Sequence, residues 1–309
     1  MSMETRSAAA LAVSAAFANA CLGACAARAL PVPSPSVAEA ETFVPADLLP
    51  NDLDFLVRFD SRRVRNHATF APLLLAAVAS LPGFFSAVPA VIDRSKVIWV
   101  GGRWMPDGFR GDGIVALEGD PAIDPTGMPV ALDPSFRPVP RPFGSNAVFE
   151  RRSVPRDRAV LHVVLGTKGA VLATAAEADA VLRVLASHPD SDRLDPRAHG
   201  LVSFALRDPA SAVVRWPAGL SYLSALMEDL EACTGSIDVS GSLQLESELV
   251  YSSEKSAQHA RELAQAEGGR DRASFPELRS LLASAAWTQR GRTLAVRASV
   301  SFERFVSRP

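Results

Sequence analysis

Two runs of alternating apolar and polar residues constrain this chain more than any other feature. In the first, Ile237, Val239, Leu243, Leu245, Leu249 and Tyr251 alternate with Asp238, Ser240, Ser242, Gln244, Glu246 and Glu248. In the second, Leu294, Val296, Ala298, Val300 and Phe302 alternate with Arg297, Ser299, Ser301 and Glu303. Successive side chains of a β-strand point to opposite faces. Such runs therefore demand a sheet with one buried apolar face and one polar face turned to solvent or to a partner.

The same reading extends upstream. Leu53, Phe55, Val57 and Phe59 alternate with Asp54, Arg58 and Asp60 as a half-buried strand, and Val97 to Val100 and Gly113 to Leu117 are two more short strands. Arg158 to Leu165 and Gly169 to Ala173 form a hairpin around Thr167-Lys168-Gly169. Thr174-x-x-Glu177 is a capping box ahead of a helix whose Ala178, Val181, Leu182 and Leu185 share one face, stopped at His188-Pro189. About 148 residues on, counting from Leu53 to Leu201, the order recurs: a strand over Leu201 to Leu206, then a helix over Leu220 to Cys233 with Leu223, Leu226, Met227 and Leu230 on one side. The alternating strands follow, with helices starting near Ser253 and at a second capping box, Ser274-x-x-Glu277. Strand, helix, two strands, helix, read twice, predicts an α+β fold. Two similar halves, 51–198 and 199–309, form antiparallel sheet covered on one face by helices.

With 309 residues, 48% of them apolar, the chain has enough hydrophobic material for a sizeable core. The balance of 32 basic against 34 acidic residues, net -2, excludes a nucleic-acid partner held by phosphate neutralisation.

The first 24 residues are an address. Ala8 to Leu22 runs without a charge, too short to span a bilayer, and ends in Leu22-Gly23-Ala24-Cys25. This resembles the lipobox of bacterial lipoproteins: a branched apolar residue, two small residues, and the Cys that takes the lipid. The resemblance implies that Cys25 is lipidated and anchors the protein to a membrane. Ala24-Cys25-Ala26 and Ala18-Asn19-Ala20 also fit ordinary secretory cleavage, which would leave a secreted or periplasmic protein, and an uncleaved anchor is a third route. Residues 25–50 read as a tether, rich in Ala and Pro, extending up to roughly 75 Å at about 3.1 Å per residue. With Cys25 acylated, Cys233 is left alone, a small buried hydrophobe on the predicted helix.

Four constellations invite a chemical reading. Phe70 to Ile92 is 23 residues without charge, yet Pro82-Gly83 and Pro89 interrupt it, which favours two short core helices over a membrane span. The alternative is a flap over an apolar ligand or lipid, with Phe84 and Phe85 at its tip. His188, Asp190, Asp192, Asp195 and His199 match neither calcium-loop nor zinc spacing and read as a solvated turn between Pro189 and Pro196, so no metal is expected. Ser252-x-x-Lys255 has the form of a penicillin-binding nucleophile but lacks its companions, and a serine N-cap accounts for it. Arg151, Arg152, Arg156 and Arg158, diluted by Glu150 and Asp157, read as a solvated edge, and the Pro-rich segment Gly119 to Ser145 as a long loop.

Lipobox, tether and a strand-helix-strand-strand domain opening with Asp52-Leu53-Asp54-Phe55-Leu56-Val57-Arg58 together resemble envelope lipoproteins of high-GC Gram-negative bacteria, a resemblance that implies no activity. The expectation is a non-enzymatic protein without cofactor, anchored in the cell envelope, in the outer membrane, that binds or scaffolds an envelope partner through its sheet face or its Pro-rich loop. A periplasmic carrier of an apolar ligand, with residues 70–92 as lid, is the first alternative. An enzyme without a recognisable motif is the second.

Overall fold

The computed structural model describes residues 44–67, 71–72, 95–104, 112–119, 136–139, 147–151, 158–165, 168–187, 194–196, 199–211, 222–268 and 283–301. Within them twelve strands form one antiparallel sheet: β1 (Phe55–Phe59), β2 (Ser95–Gly102), β3 (Ile114–Gly119), β4 (Arg137–Pro138), β5 (Ala147–Glu150), β6 (Ala159–Val164), β7 (Gly169–Thr174), β8 (Val202–Arg207), β9 (Leu230–Val239), β10 (Ser242–Tyr251), β11 (Ala286–Arg290) and β12 (Thr293–Ser301). Four helices accompany them: α1 (Ser61–Arg65), α2 (Ala175–Ala186), α3 (Tyr222–Met227) and α4 (Glu254–Gly268). The spatial order is β11-β12-β10-β9-β8-β1-β2-β3-β7-β6-β5-β4.

The expected repeat of element order is present in the topology. One half contributes β1-β2-β3-β7-β6 and the other β8-β9-β10-β12-β11, and both radiate from the central β1–β8 pair. In the first half β4 and β5 occupy the connection that α4 fills in the second, and they extend the sheet beyond β6.

Placing β1 at the centre changes its burial. The pattern predicted a strand polar on one face, but Leu56 is as buried as Phe55, Val57 and Phe59. On one face, here the front, Phe55, Val57 and Phe59 pack with Ile98, Val100, Val115, Leu117, Leu206, Cys233, Leu243 and Leu294, together with Val64 of α1 and Ala257 and Ala260 of α4. On the back, Leu56 joins Ile114, Ala116, Leu161, Val163 and Val171 beneath Val181 and Leu185 of α2. Among the described helices, α2 lies on the back of the first half, while α1 of the first half and α4 of the second lie on the front.

Three local expectations change. Of the helix predicted over Leu220 to Cys233, the described residues form α3 and then leave it: the chain turns at Asp229, φ +64°, into β9. Cys233 is therefore a strand residue, opposite Leu206 on β8 and Leu249 on β10, and is buried by the sheet. Residues 44–50, assigned to the tether, are packed: Pro45 starts a 3-10 turn (Pro45–Leu48), and Leu48 and Leu49 are buried in the back core. The Thr174-x-x-Glu177 capping box does not form, because the Thr174 hydroxyl accepts the Gly113 N–H at 3.0 Å and Glu177 turns to Arg103. Ser253, by contrast, caps α4, its hydroxyl accepting the Ser256 N–H at 3.0 Å.

Gly235 shows how closely β8, β9 and β10 approach. A Cβ there would stand 2.5 Å from Phe204 Cζ and 2.7 Å from the Glu246 carbonyl. The ring can shift but the ladder carbonyl cannot. Gly235→Ala should therefore destabilise the fold by about 1–3 kcal/mol in thermal denaturation, and adding Phe204→Leu should restore only part of the loss. Burial pushes the Cys233 thiol up to about 11, so it is expected to react with a thiol reagent only on unfolding. Rapid labelling of the native protein would contradict the burial described.

Candidate functional site

Cys25, Phe84 and Phe85 lie outside the described residues, as do Asp190, Asp192 and the second capping box at Ser274. Of the Pro-rich segment, Arg137–Pro138 forms β4 against Phe149 and Glu150. Of the arginine patch, Arg151 is committed locally: its Nε donates to the Ala159 carbonyl and its guanidinium lies 4.9 Å over the Phe136 ring. No group of three or more metal-ligating side chains converges among the described residues.

The back of the second half carries the polar members of the alternating runs. Thr234 of β9, Gln244, Glu246 and Glu248 of β10, and Arg297 and Ser299 of β12 share this face through the registers Thr234–Glu248 and Glu246–Arg297. Arg297 Nε stands 3.3 Å from Glu246 Oε1, and the Ser299 hydroxyl donates to Ser242 at 3.1 Å. At one margin Arg63 of α1 donates to both oxygens of Asp238, at 2.9 and 3.0 Å. His199, Thr234, Glu246, Glu248 and Arg297 line a concavity of about 70 Å³. That is far below the volume of a site enclosing a small-molecule ligand.

A second constellation escaped sequence reasoning. Where β1 begins and β2 and β8 end, Arg103 reaches Glu177 Oε2 at 3.0 Å and Asp52 Oδ1 at 2.5 Å. The Asp54 carboxylate accepts the Trp104 N–H at 2.6 Å, and the Trp104 indole donates to the Arg207 carbonyl at 2.7 Å. Burial pushes the Glu177 carboxyl up to about 7; Arg103 pulls it down, while Asp52, Asp112 and Asp54 push it further up. Asp54 is also raised, chiefly by burial. The one available signal was a Glu at the third position of α2, which a capping box explained equally well.

On the front of the first half, His162 of β6 is 1% exposed, with ring centroids 6.1 Å from Phe136 and 6.3 Å from Phe149. Neither ring nitrogen has a hydrogen-bond partner, and burial pushes its pKa down to about 4.

These features define an α+β protein on one continuous antiparallel sheet, with a polar face on its second half and two buried titratable positions. No helix among the described residues is long and apolar enough to cross a membrane. No protein-family model and no curated protein matches the chain. Among solved structures, crystal form IV of a protein called TP0453 is similar in fold, with a TM-score of 0.52 and 11% identity over 87% of this chain and 98% of that one. Crystal form I of the same protein gives a TM-score of 0.49 at 12% identity, covering 86% and 97%.

His162 sets an acid limit. Its folded pKa lies below the unfolded value, so the fold disfavours the imidazolium, and stability contributed by the neutral ring is lost as pH falls from 6.5 towards 4. The full shift corresponds to roughly 3 kcal/mol. His162→Leu is expected to hold or raise stability at pH 7, because it removes two unpaired polar atoms, and to flatten the decline between pH 6.5 and 4 in denaturant titrations. An unchanged decline would place the acid-sensitive group elsewhere.

Proposed function

We propose that this protein is lipid-anchored in the bacterial cell envelope through Cys25 and acts there as a non-enzymatic binding or scaffolding module. In this reading the back of its second half meets an envelope partner. The observation that carries it is the division of labour in β9, β10 and β12: their front faces form the core with α4, while their back faces present Thr234, Gln244, Glu246, Arg297 and Ser299 in register. The lipobox Leu22-Gly23-Ala24-Cys25 supports the anchor. The fold similarity to TP0453 carries no statement about activity.

Two measurements test the two parts. Three acyl chains, as the lipoprotein resemblance implies, bind a membrane far more tightly than one, so the mature protein should stay with membranes through a high-salt wash. Cys25→Ser should release it or block processing; a variant that is still cleaved and membrane-bound would return the N-terminus to the ordinary secretory reading. For the face, a photo-crosslinking residue at Gln244 or Ser299 in the full chain, expressed in its envelope, should capture a discrete partner. The same probe at Glu262, exposed on α4, should not. Equal capture from both positions would remove the sheet face from the proposal, and capture of lipid alone would favour the carrier.

A further inference from the structure

We propose that Arg103, shared between Asp52 and Glu177, is a pH-responsive clasp on the segment 44–54: it holds that segment to the sheet when Glu177 is protonated and loosens it when Glu177 is ionised.

The two carboxylates that Arg103 bridges differ in their access to water. The Glu177 side chain is 3% exposed and that of Asp52 is 59% exposed. An ionised Glu177 has no hydration to fall back on and needs the guanidinium, because a buried unpaired charge is far more costly than an exposed one. Asp52 can leave Arg103 for water at little cost. When Glu177 gives its proton to solvent, two anions compete for one cation, and the buried anion keeps it. When Glu177 regains the proton, its demand falls and Arg103 is returned to Asp52.

The charged groups facing Glu177 make this competition sharper. They are Arg103 from the end of β2, Asp52 and Asp54 from the segment entering β1, and Asp112 ahead of β3: three anions and one cation. Of the elements packed on α2, β6 and β7 carry no Asp, Glu, Lys or Arg, His162 of β6 lies on the front face away from α2, and the carboxylate of Asp47 in the 3-10 turn accepts the Val44 N–H. Glu177 titrates near 7, inside the ordinary range of an envelope compartment.

The clasp is one of several ties on this segment, whose Asp54 N–H donates to the Gly102 carbonyl at 2.9 Å and whose Asp54 carbonyl accepts the Arg207 N–H at 2.7 Å. The Arg207 guanidinium donates to the Asn51 carbonyl at 3.1 Å and Asp54 holds the Trp104 amide, while Leu48, Leu49 and Leu53 supply apolar burial. Losing the Asp52 pair should loosen residues 44–54 without unfolding the sheet, because these other ties and the apolar burial remain. If Cys25 carries the anchor, this segment is the junction between tether and domain, and the clasp sets how firmly the domain is held to it.

Hydrogen exchange of the full-length protein at pH 6 and pH 8, corrected for intrinsic rates, tests the proposal. Peptides covering 44–54 should open roughly two- to fivefold more readily at pH 8, in keeping with a partly exposed ion pair, while peptides of the β9–β10 hairpin should not change. Glu177→Gln should abolish the step and keep the segment at its pH 6 protection. Asp52→Asn, at an exposed side chain that puts folding at little risk, should abolish the step in the other sense, leaving the segment loosened at both pH values. Equal protection of the wild-type segment at pH 6 and 8, or a step that survives either substitution, would overturn the clasp.

Discussion

The ladder between β1 and β8 is the contact on which the rest of the molecule depends. Phe55 to Phe59 pair antiparallel with Leu206 to Val202, and through this short seam a seven-stranded and a five-stranded half become one sheet. Along β1 only Arg58, on the back, is partly exposed. Its front residues Phe55, Val57 and Phe59 enter one core and Leu56 enters the other, so β1 links both hydrophobic clusters. Apolar burial on both faces of one strand is normally a property of parallel sheets; here an antiparallel sheet acquires it because a core forms on each face, the front one with α1 and α4 and the back one with α2.

Much of this was legible. Period-two alternation located β10 and β12, and the recurrence of element order anticipated the topological repeat, because both are local properties of the chain. What could not be read was decided by tertiary contacts. Leu56 looks like a break in the β1 pattern until the strand is known to be central. Leu230 to Val239 follows directly on a helical spacing of Leu226, Met227 and Leu230, and the switch of period falls at Asp229, whose carboxylate accepts the Ser256 hydroxyl 27 residues away. Thr174 and Glu177 satisfy a capping-box pattern, yet partners 61 and 74 residues distant claimed both side chains. The candidate site divides the same way. The polar face follows from alternation alone, whereas the Arg103 cluster joins four segments that only the folded sheet brings to one end.

The two buried titratable groups bound the stability of this fold from opposite sides. Glu177 is raised by burial, so the neutral acid is the form the fold tolerates, and its contribution weakens as pH climbs from 4.5 through about 7. His162 is lowered by burial, and its contribution weakens in the opposite direction, towards about 4. Neither is paired well enough to reverse its desolvation: one guanidinium serves two acids at Glu177, and His162 has no hydrogen-bond partner among the described residues. Stability from these two positions is therefore greatest on the mildly acidic side of neutrality. A sheet whose cores were wholly apolar would show no such window.

The polar back of the second half makes a different kind of demand. Its ion pair, Glu246 with Arg297, is largely exposed, and pairs of this kind contribute about 0–1 kcal/mol. The stability of β9, β10 and β12 comes from the other side, where Leu243, Tyr251 and Leu294 are buried with Ala257 and Ala260 of α4. Folding thus asks of the back face only that it be polar enough to remain in water, a condition many sequences would meet. The identities of Thr234, Gln244, Glu246, Arg297 and Ser299 are left almost free by the core, so polar substitutions there should cost the fold little.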